Sequence, residues 1–173
     1  MAKWAKAITT EYPNFNIVGE AWMHAPAQIA FWQKDSKIGE IKNYNSNLPS
    51  VMDFPLHNAI TASHKEEENW DKGLIRIYES LSSDFLYPDI NNTMVFLENH
   101  DTERWNEIYN GDINKYKQAF GIMATLRGIP QIYYGSEIGM RGNKKTGGDA
   151  DIRRDFPGGW KSDKQNAFKP EGR

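Results

Sequence analysis

Short apolar runs alternate along this chain with longer segments whose apolar residues recur at helical spacing. Four runs are rich in β-branched or aromatic residues and have the length of buried strands, at residues 15–20, 51–54, 93–98 and 131–134. Helical spacing is found at residues 1–12, 26–34, 56–63, 70–81 and 113–126, weakly at 56–63 and more strongly at 70–81. Asp112 is placed to cap the last of these. The pattern predicts a helix, three strand–helix units and a final strand.

This alternation favours an α/β fold with a parallel sheet, because parallel strands need long crossover connections that are usually helices. The runs are apolar at successive positions, which is typical of strands buried on both faces. A small open sheet and half of an eight-stranded barrel both fit this order of elements. Residues 39–49 are polar, and residues from 141 onward are rich in glycine with little periodicity, so both segments are predicted to be loops.

Composition excludes some classes of function. The formal net charge of −2 gives no reason to expect a nucleic-acid or membrane partner. We find no apolar stretch long enough to span a bilayer, and the first residues lack the apolar region of a signal peptide. The chain has no Cys, which excludes disulfides and thiolate metal sites. Periplasmic, secreted and cytoplasmic locations all stay open.

Carboxylates and other polar side chains stand where the predicted strands end. Glu20 closes the first run, residues 98–104 follow the third, and residues 133–137 close the fourth. Active groups of parallel α/β folds collect at the carboxyl ends of strands. A single carboxylate there could equally cap the next helix. Two carboxylates with a histidine beside one of them favour glycoside hydrolysis, in which an acid/base and a second carboxylate act on one bond.

Three of these strand ends resemble motifs of the α-amylase family of glycoside hydrolases. Gly19-Glu20-Ala21-Trp22 resembles the family's fifth-strand motif, and Phe-Leu-Glu-Asn-His-Asp at residues 96–101 resembles the seventh. Gly-Ile-Pro-Gln-Ile-Tyr-Tyr-Gly-Ser-Glu-Ile-Gly at 128–139 resembles the eighth, and residues 51–56 fit the sixth with less specificity. The branch most similar is that of neopullulanases and cyclomaltodextrinases. The resemblance implies that residues 1–140 form strands five to eight of a (β/α)8 TIM barrel, and that residues 141–173 form a substrate-side loop or tail.

The resemblance also implies roles for individual residues. Glu20 would be the general acid and later the general base, and Asp101 the carboxylate that stabilises the transition state. The remaining matched residues of the strand ends would contact substrate: Trp22, His24, Asn99, His100 and Tyr134. Trp22 could equally be a packing residue.

A sugar clamp after the last strand is also implied. Asp149 and Arg153 match the spacing of the family's Asp-Pro-x-x-Arg clamp, although Ala150 replaces the proline. Asp151 or Arg154 could therefore take these parts.

Two further charged residues have two interpretations. Arg104 and Glu137 could touch substrate, but local salt bridges are the favoured interpretation for both.

The family's nucleophile motif, Asp-Gly-x-Arg-x-Asp, does not occur in the sequence. A retaining mechanism needs that carboxylate about 5 Å from the acid/base. The expectation is therefore a fragment of a larger enzyme, inactive by itself. Half a barrel has open sheet edges that invite pairing. We therefore expect self-association or pairing with the missing N-terminal half-barrel.

The activity implied for the parent enzyme is cleavage of α-1,4-glucosidic bonds in starch-derived oligosaccharides, cyclodextrins or pullulan. A transglycosylase or isomerase of the family, and a catalytically inactive sugar-binding fragment, are the alternatives. No cofactor and no metal are expected in this segment, although calcium could bind elsewhere in the full-length parent.

The glycines at 142, 147 and 148 do not form the GxGxxG arrangement of a nucleotide-binding loop.

Overall fold

The computed structural model describes residues 1–169 and 171. Four short strands are present: β1 (Val18–Gly19), β2 (Ser50–Val51), β3 (Met94–Phe96) and β4 (Ile129–Gln131). The helices are α1 (Ala2–Glu11), α2 (Pro26–Ala30), α3 (Lys37–Glu40), α4 (Phe54–Lys65), α5 (Ile75–Leu81), α6 (Trp105–Ile108), α7 (Ile113–Thr125) and α8 (Lys144–Ile152). Single 3-10 turns lie at Asp84–Leu86, Ile90–Asn92 and Ser136–Ile138. No helix of these residues combines the length and apolarity needed to cross a bilayer.

The four strands are parallel and follow one another in chain order. β1 pairs with β2 and β3 pairs with β4, both in parallel register. A parallel bridge between Met52 and Met94 joins the two pairs, and the amide of Asp53 donates to Met94 O at 2.9 Å. The prediction of a parallel α/β sheet is therefore confirmed. Neighbouring strands in unbroken chain order suit a barrel, whereas a doubly wound sheet reverses its order at a switch point.

The chain divides into two compact units. The first consists of Met1–Phe96 and Gly121–Gln131 and contains the whole sheet. Its core is built where helices cover the inner strands, from clusters around Val51, Phe54 and Phe96. The second unit consists of Leu97–Phe120 and the residues from Ile132 onward. These units do not test the predicted division of the chain at residue 140, which stays a prediction.

The outer strands are not buried on both faces, and this part of the prediction was wrong. Val51, Val95 and Phe96 on β2 and β3 are buried, but Val18 on β1 and Ile129 on β4 are exposed. The reason is that β1 and β4 each pair with one strand within the described part of the chain. Pro130 on β4 fits this position, because proline cannot donate to a second neighbouring strand.

The last strand lies two residues earlier than predicted, at Ile129–Gln131 instead of residues 131–134. Gly128 precedes it with a φ of +98°, and a Cβ at this position would lie 2.8 Å from Thr93 O. The amide of Ile129 donates to this same carbonyl at 2.8 Å, which sets the register of β4 on β3. Tyr133 and Tyr134 consequently lie in the turn beyond the strand.

The helical pattern predicted the wrong relative lengths for two helices of the first unit. The segment with the weaker pattern forms the longer helix, α4, and the stronger pattern yields only α5. Asp53 Oδ1 accepts from the amide of Leu56 at 3.0 Å and so caps α4, and Pro55 occupies its first turn. These start signals outweighed the pattern of apolar residues. Helix α3, which has Ser36 as its cap, extends into the first residues of what was predicted as a polar loop.

The predicted loop beyond residue 141 contains a helix, which corrects the prediction. Helix α8 is capped by Asn143, whose side chain accepts from the amide of Thr146 at 3.1 Å. Gly148 interrupts it with φ 65° and ψ −163°. The glycines therefore obscure the helical pattern in the sequence, although the helix still forms. Ile152 at its end is buried. At the start of α7 the predicted cap is confirmed, since Asp112 Oδ1 accepts from the amides of Asn114 and Lys115.

Candidate active site

Glu20 follows β1 directly and is exposed beside an apolar cavity in the first unit. A Cβ at Gly19 would lie 2.6 Å from Leu48 Cδ1, so a larger residue there would require the Leu48 side chain to shift. The cavity measures about 300 Å³, and its walls include Glu20, Trp22, Trp32 and Leu48. A carboxyl group that reaches solvent beside an apolar wall can approach the oxygen of a bound sugar.

Trp22 and His24 extend this side of the first unit. The Trp22 ring stacks on Phe54, with centroids 4.6 Å apart and planes at 22°, yet the residue stays 46% exposed. It therefore packs with one face and offers the rest to solvent. The Asn58 side chain donates to His24 Nδ1 at 3.1 Å, which leaves Nε2 to carry the proton of the neutral ring.

A tight turn after β3 presents His100 and Asp101 in the second unit. Asn99 Oδ1 accepts from the amides of Asp101 at 2.8 Å and Thr102 at 2.9 Å. Thr102 Oγ1 accepts in return from the amide of Asn99 at 2.9 Å. Asn99 is buried, so the structure places it inside the turn that it shapes. A direct contact of Asn99 with sugar stays a prediction.

Asp101 belongs to a charged cluster that also contains Asp149 and Arg153. Arg153 Nη2 lies 2.5 Å from Asp101 Oδ1 and 3.0 Å from Asp149 Oδ2, and Arg153 Nε donates to His100 O at 2.7 Å. His100 Nε2 lies 3.1 Å from the other Asp101 oxygen. Of the two assignments left open for the clamp, this geometry favours Asp149 with Arg153.

The alternative pair has other partners. Asp151 Oδ2 accepts from the amide of Asn143 at 2.6 Å. Arg154 donates to the backbone carbonyls of Asp151 and Arg141. Both side chains therefore hold the segment that carries Asp149 and Arg153.

Lys144 joins the cluster and was not found from the sequence. Its Nζ lies 3.1 Å from Asp149 Oδ1 and donates to Asp101 O at 2.8 Å. Its hydrogen bond to Asp149 is the largest cause of a lowered pKa of that carboxyl, and the charge of Arg153 adds to it. The only signal in the sequence is its place directly after the capping residue Asn143, where it begins α8.

A second carboxylate–arginine pair, Glu98 with Arg104, lies fully inside the second unit. Arg104 Nη1 lies 3.2 Å from Glu98 Oε1 and donates to Tyr134 O at 2.7 Å, and Arg104 Nε donates to Ile152 O at 3.1 Å. The guanidinium also lies over the Tyr133 ring, 4.0 Å from its centroid. The salt-bridge interpretation of Arg104 is therefore correct, and burial excludes it from contact with substrate.

Tyr134 is half exposed above this pair, and its hydroxyl donates to Arg154 O at 2.7 Å. Its predicted role in substrate binding stays a prediction. No group of three or more His, Asp or Glu side chains within residues 1–169 and 171 is arranged to hold a metal ion.

Comparisons with known proteins agree with this picture. The family model for the α-amylase catalytic domain matches residues 1–169. Alpha-amylase 3 of Dictyoglomus thermophilum is 35% identical over 161 residues, which is 91% of this chain and 28% of the relative. A cyclomaltodextrinase of Thermoanaerobacter pseudethanolicus is 31% identical over 166 residues, 95% of this chain and 25% of the relative. The chain thus spans roughly a quarter of the length of these curated relatives.

Solved structures give the same result for the fold. The α-amylase of Geobacillus thermoleovorans, complexed with acarbose, superposes with a TM-score of 0.70 at 27% identity over 90% of this chain and 32% of that one. The α-amylase of H. orenii gives a TM-score of 0.66 at 28% identity over 98% of this chain and 32% of that one. The four parallel strands therefore have a TIM-barrel type of fold, and this chain belongs to the α-amylase family of glycoside hydrolases.

Proposed function

We propose that this chain supplies the acid/base and the second carboxylate of a retaining glycoside hydrolase that cleaves α-1,4-glucosidic bonds. Its substrates would be starch-derived oligosaccharides, cyclodextrins or pullulan, and β1 to β4 would be strands five to eight of the barrel. The observation that carries the proposal is the cluster of Asp101, Asp149 and Arg153, with His100 on the second oxygen of Asp101. A carboxylate held by an arginine keeps lone pairs that can accept sugar hydroxyls.

Each carboxylate has its own part in this proposal. Glu20 reaches solvent, so its carboxyl can protonate the leaving oxygen and later take a proton from the attacking water. Asp101 has one oxygen against Arg153 and the other against His100, which fixes its orientation. A fixed carboxylate stabilises developing positive charge better than one that must reorient during the reaction.

The nucleophile would come from outside these 173 residues, because the sequence lacks its motif. We therefore propose that the chain by itself binds α-glucan without hydrolysing it. The exposed apolar residues of β1 and β4 support pairing with further barrel strands or with a second copy. Size-exclusion chromatography tests this pairing, and a stable monomer at micromolar concentration would contradict it.

The acid/base assignment is tested in the longest product that the gene encodes. Glu20→Gln should lower hydrolysis of maltotriose by roughly 10²- to 10⁴-fold, because the leaving sugar is no longer protonated. Maltosyl fluoride should lose far less in the first step, since fluoride departs without protonation. Glu137→Gln, an exposed glutamate that follows β4, is the matched control. Equal losses on both substrates would rule out Glu20 as the acid.

A family transglycosylase is the second candidate. Its support is the similarity to a cyclomaltodextrin glucanotransferase of Bacillus sp. The two sequences are 35% identical over 113 residues, which is 65% of this chain and 15% of the relative. Chromatography of the products from maltotriose separates the two activities. Hydrolysis yields only shorter sugars, whereas transfer also yields sugars longer than the substrate.

The inactive sugar-binding alternative makes a different prediction for the same gene product. Calorimetry would then detect binding of maltooligosaccharides to the full gene product. Chromatography would detect no products from any of the proposed substrates.

A further inference from the structure

Trp160 projects from the last part of the second unit with 64% of its surface exposed. Exposure alone carries little information, because single exposed apolar residues are common on soluble proteins. Trp160 differs in that its polar edge is already fixed. Its indole Nε1–H donates to Asp155 Oδ2 at 2.9 Å, which restricts the rotation of the ring while most of its surface stays accessible.

The backbone beneath Trp160 is braced as well. Asp163 Oδ2 accepts from the amides of Gly158 at 2.8 Å and Trp160 at 3.1 Å, and the Asp163 amide donates back to Trp160 O at 3.1 Å. Gly158 has a φ of +97°, and a Cβ there would lie 2.5 Å from Asn166 Oδ1. This turn therefore requires glycine. An aromatic ring held in one orientation loses little conformational entropy when it binds a ligand.

The chemistry of this site suits a sugar ring. A glucose unit has an apolar C–H face and a rim of hydroxyl groups. The indole plane of Trp160 offers an apolar face of similar size, and the carboxylate of Asp155 at its edge can accept hydrogen bonds from hydroxyls. Binding sites for small polar ligands commonly combine aromatic walls with a few placed polar groups.

The site is tied to the charged cluster by the chain itself. Asp155 follows Arg153 by two residues, and two residues span at most about 7 Å of chain. Arg153 contacts Asp101 and Asp149 within the same unit. A glucan chain bound at this cluster therefore has its neighbouring glucose units within reach of Trp160.

We propose that Trp160 and Asp155 form an additional glucose-binding subsite for an α-glucan whose other units occupy the Asp101–Arg153 cluster. This inference rests on the proposed function and adds to it a preference for longer substrates. The site favours long oligosaccharides over maltose, because only a chain of several units reaches both places.

The test is binding by the Glu20→Gln form of the longest gene product, which prevents turnover during the titration. Trp160→Ala should raise the Kd for maltohexaose about tenfold or more, since one stacked apolar face is lost, and should leave the Kd for maltose within about twofold. Trp160→Phe keeps an aromatic face and should recover most of the affinity. Trp70→Ala is the matched control, because Trp70 is 95% exposed in the first unit.

A readout independent of affinity is the NMR signal of the Trp160 indole N–H. Maltohexaose should shift this signal in the unsubstituted chain, and maltose should not. The subsite is overturned if Trp160→Ala and Trp70→Ala bind maltohexaose equally well, or if Trp160→Phe is as weak as Trp160→Ala. In both cases the proposed function stands, provided that maltohexaose still binds. If the Glu20→Gln form binds neither sugar, the proposed function fails together with the subsite.

Discussion

Two carboxylate–arginine pairs in the second unit have their carboxylates on the same loop and differ in burial. The Glu98 and Arg104 side chains are 3% and 0% exposed, whereas those of Asp101 and Arg153 are 25% and 40% exposed. Glu98 and Asp101 are only three residues apart in the sequence. Residue type after a strand therefore does not tell whether a carboxylate is enclosed by the protein or open to solvent.

Both carboxylate oxygens of the buried pair are bound within the protein. Glu98 accepts from Arg104, from Ser136 Oγ at 2.6 Å and from the amide of Trp105 at 2.5 Å. A buried charge must have its partners within the protein, because it has lost its hydration. The exposed pair has kept its hydration, and a sugar hydroxyl can replace that water. The buried pair therefore holds the loop that carries Asp101.

Breaking the buried pair should have the largest effect on stability. Arg104→Met should lower the free energy of unfolding by about 3–5 kcal/mol, because Glu98 is left buried without its counter-charge. Urea denaturation measures this loss. The double variant Glu98→Gln with Arg104→Met should lose less than Arg104→Met alone, since no isolated charge remains. A loss below about 1 kcal/mol for Arg104→Met is what a surface pair would give, and it would contradict a structural role for the buried pair.

Arg127 in the first unit provides an intermediate case. It lies 2.5 Å from Asp53 Oδ2 and 2.6 Å from Asp84 Oδ1, with its side chain 13% exposed. Arg127→Met should cost about 2–3 kcal/mol at neutral pH, somewhat less than the fully buried pair. Arg76→Met, which breaks the more exposed pair with Glu66, is the control and should cost much less.

The loss at Arg127 should also depend on pH. Burial raises the pKa of Asp53 against the opposing charge of Arg127, and removal of Arg127 should raise it further. A carboxyl whose pKa is raised by folding stabilises the protein below its unfolded pKa and loses this contribution as the pH rises through its folded pKa. Arg127→Met should therefore be closer to the unsubstituted chain in stability at pH 4.5 than at pH 7.5. An equal deficit at both values would show that Asp53 does not carry the effect.

The exposed pair should show the reverse balance of effects. Arg153→Met should change the free energy of unfolding by less than about 1 kcal/mol, because both side chains of the pair are partly exposed to solvent. It should weaken binding of maltohexaose by roughly 10- to 100-fold, since one charge-assisted interaction and the orientation of Asp101 are lost. Arg154→Met is the matched control, because Arg154 contacts backbone carbonyls away from Asp101. Equal binding by the two variants would remove Arg153 from the site.

Much of the fold could be predicted from the sequence because strand ends and helix starts have local signals. The parallel sheet followed from short apolar runs between helices, and Asp112 was recognised as a cap from its residue type and position. The register of β4 could not be predicted, because it depends on the approach of Gly128 to Thr93 O, which is distant in sequence. Helix α8 was missed because Gly147 and Gly148 lower its helical propensity, while its cap at Asn143 and its buried end at Ile152 stabilise it.

The candidate site was predicted in its residue types and only partly in its contacts. Asp149 and Arg153 were expected from the resemblance to the family's clamp, and the structure places Arg153 in contact with both Asp149 and Asp101. Their binding of sugar stays a prediction. Lys144 could not be found, because a lysine after an asparagine has no distinguishing pattern. The burial of Glu98 could not be inferred either, since it follows from Ser136 and Trp105 closing over one carboxylate in three dimensions.

The smallest expected effect concerns the ionisation of Asp149, and it tests whether Lys144 belongs to the cluster. The hydrogen bond from Lys144 and the charge of Arg153 lower the pKa of Asp149, so its titration in the folded protein should have a midpoint below about 3.9, the value of an unperturbed aspartate. A carboxyl whose pKa is lowered by folding stabilises the fold at pH values above its unfolded pKa. This contribution is lost as the pH falls through its folded pKa. Lys144→Met should move the midpoint upward, whereas Lys145→Met, its exposed neighbour, should leave it in place. Carboxyl ¹³C NMR follows the titration directly. Coinciding midpoints for the two lysine variants would assign the shift to the charges of Arg153 and His100 and would remove Lys144 from the cluster.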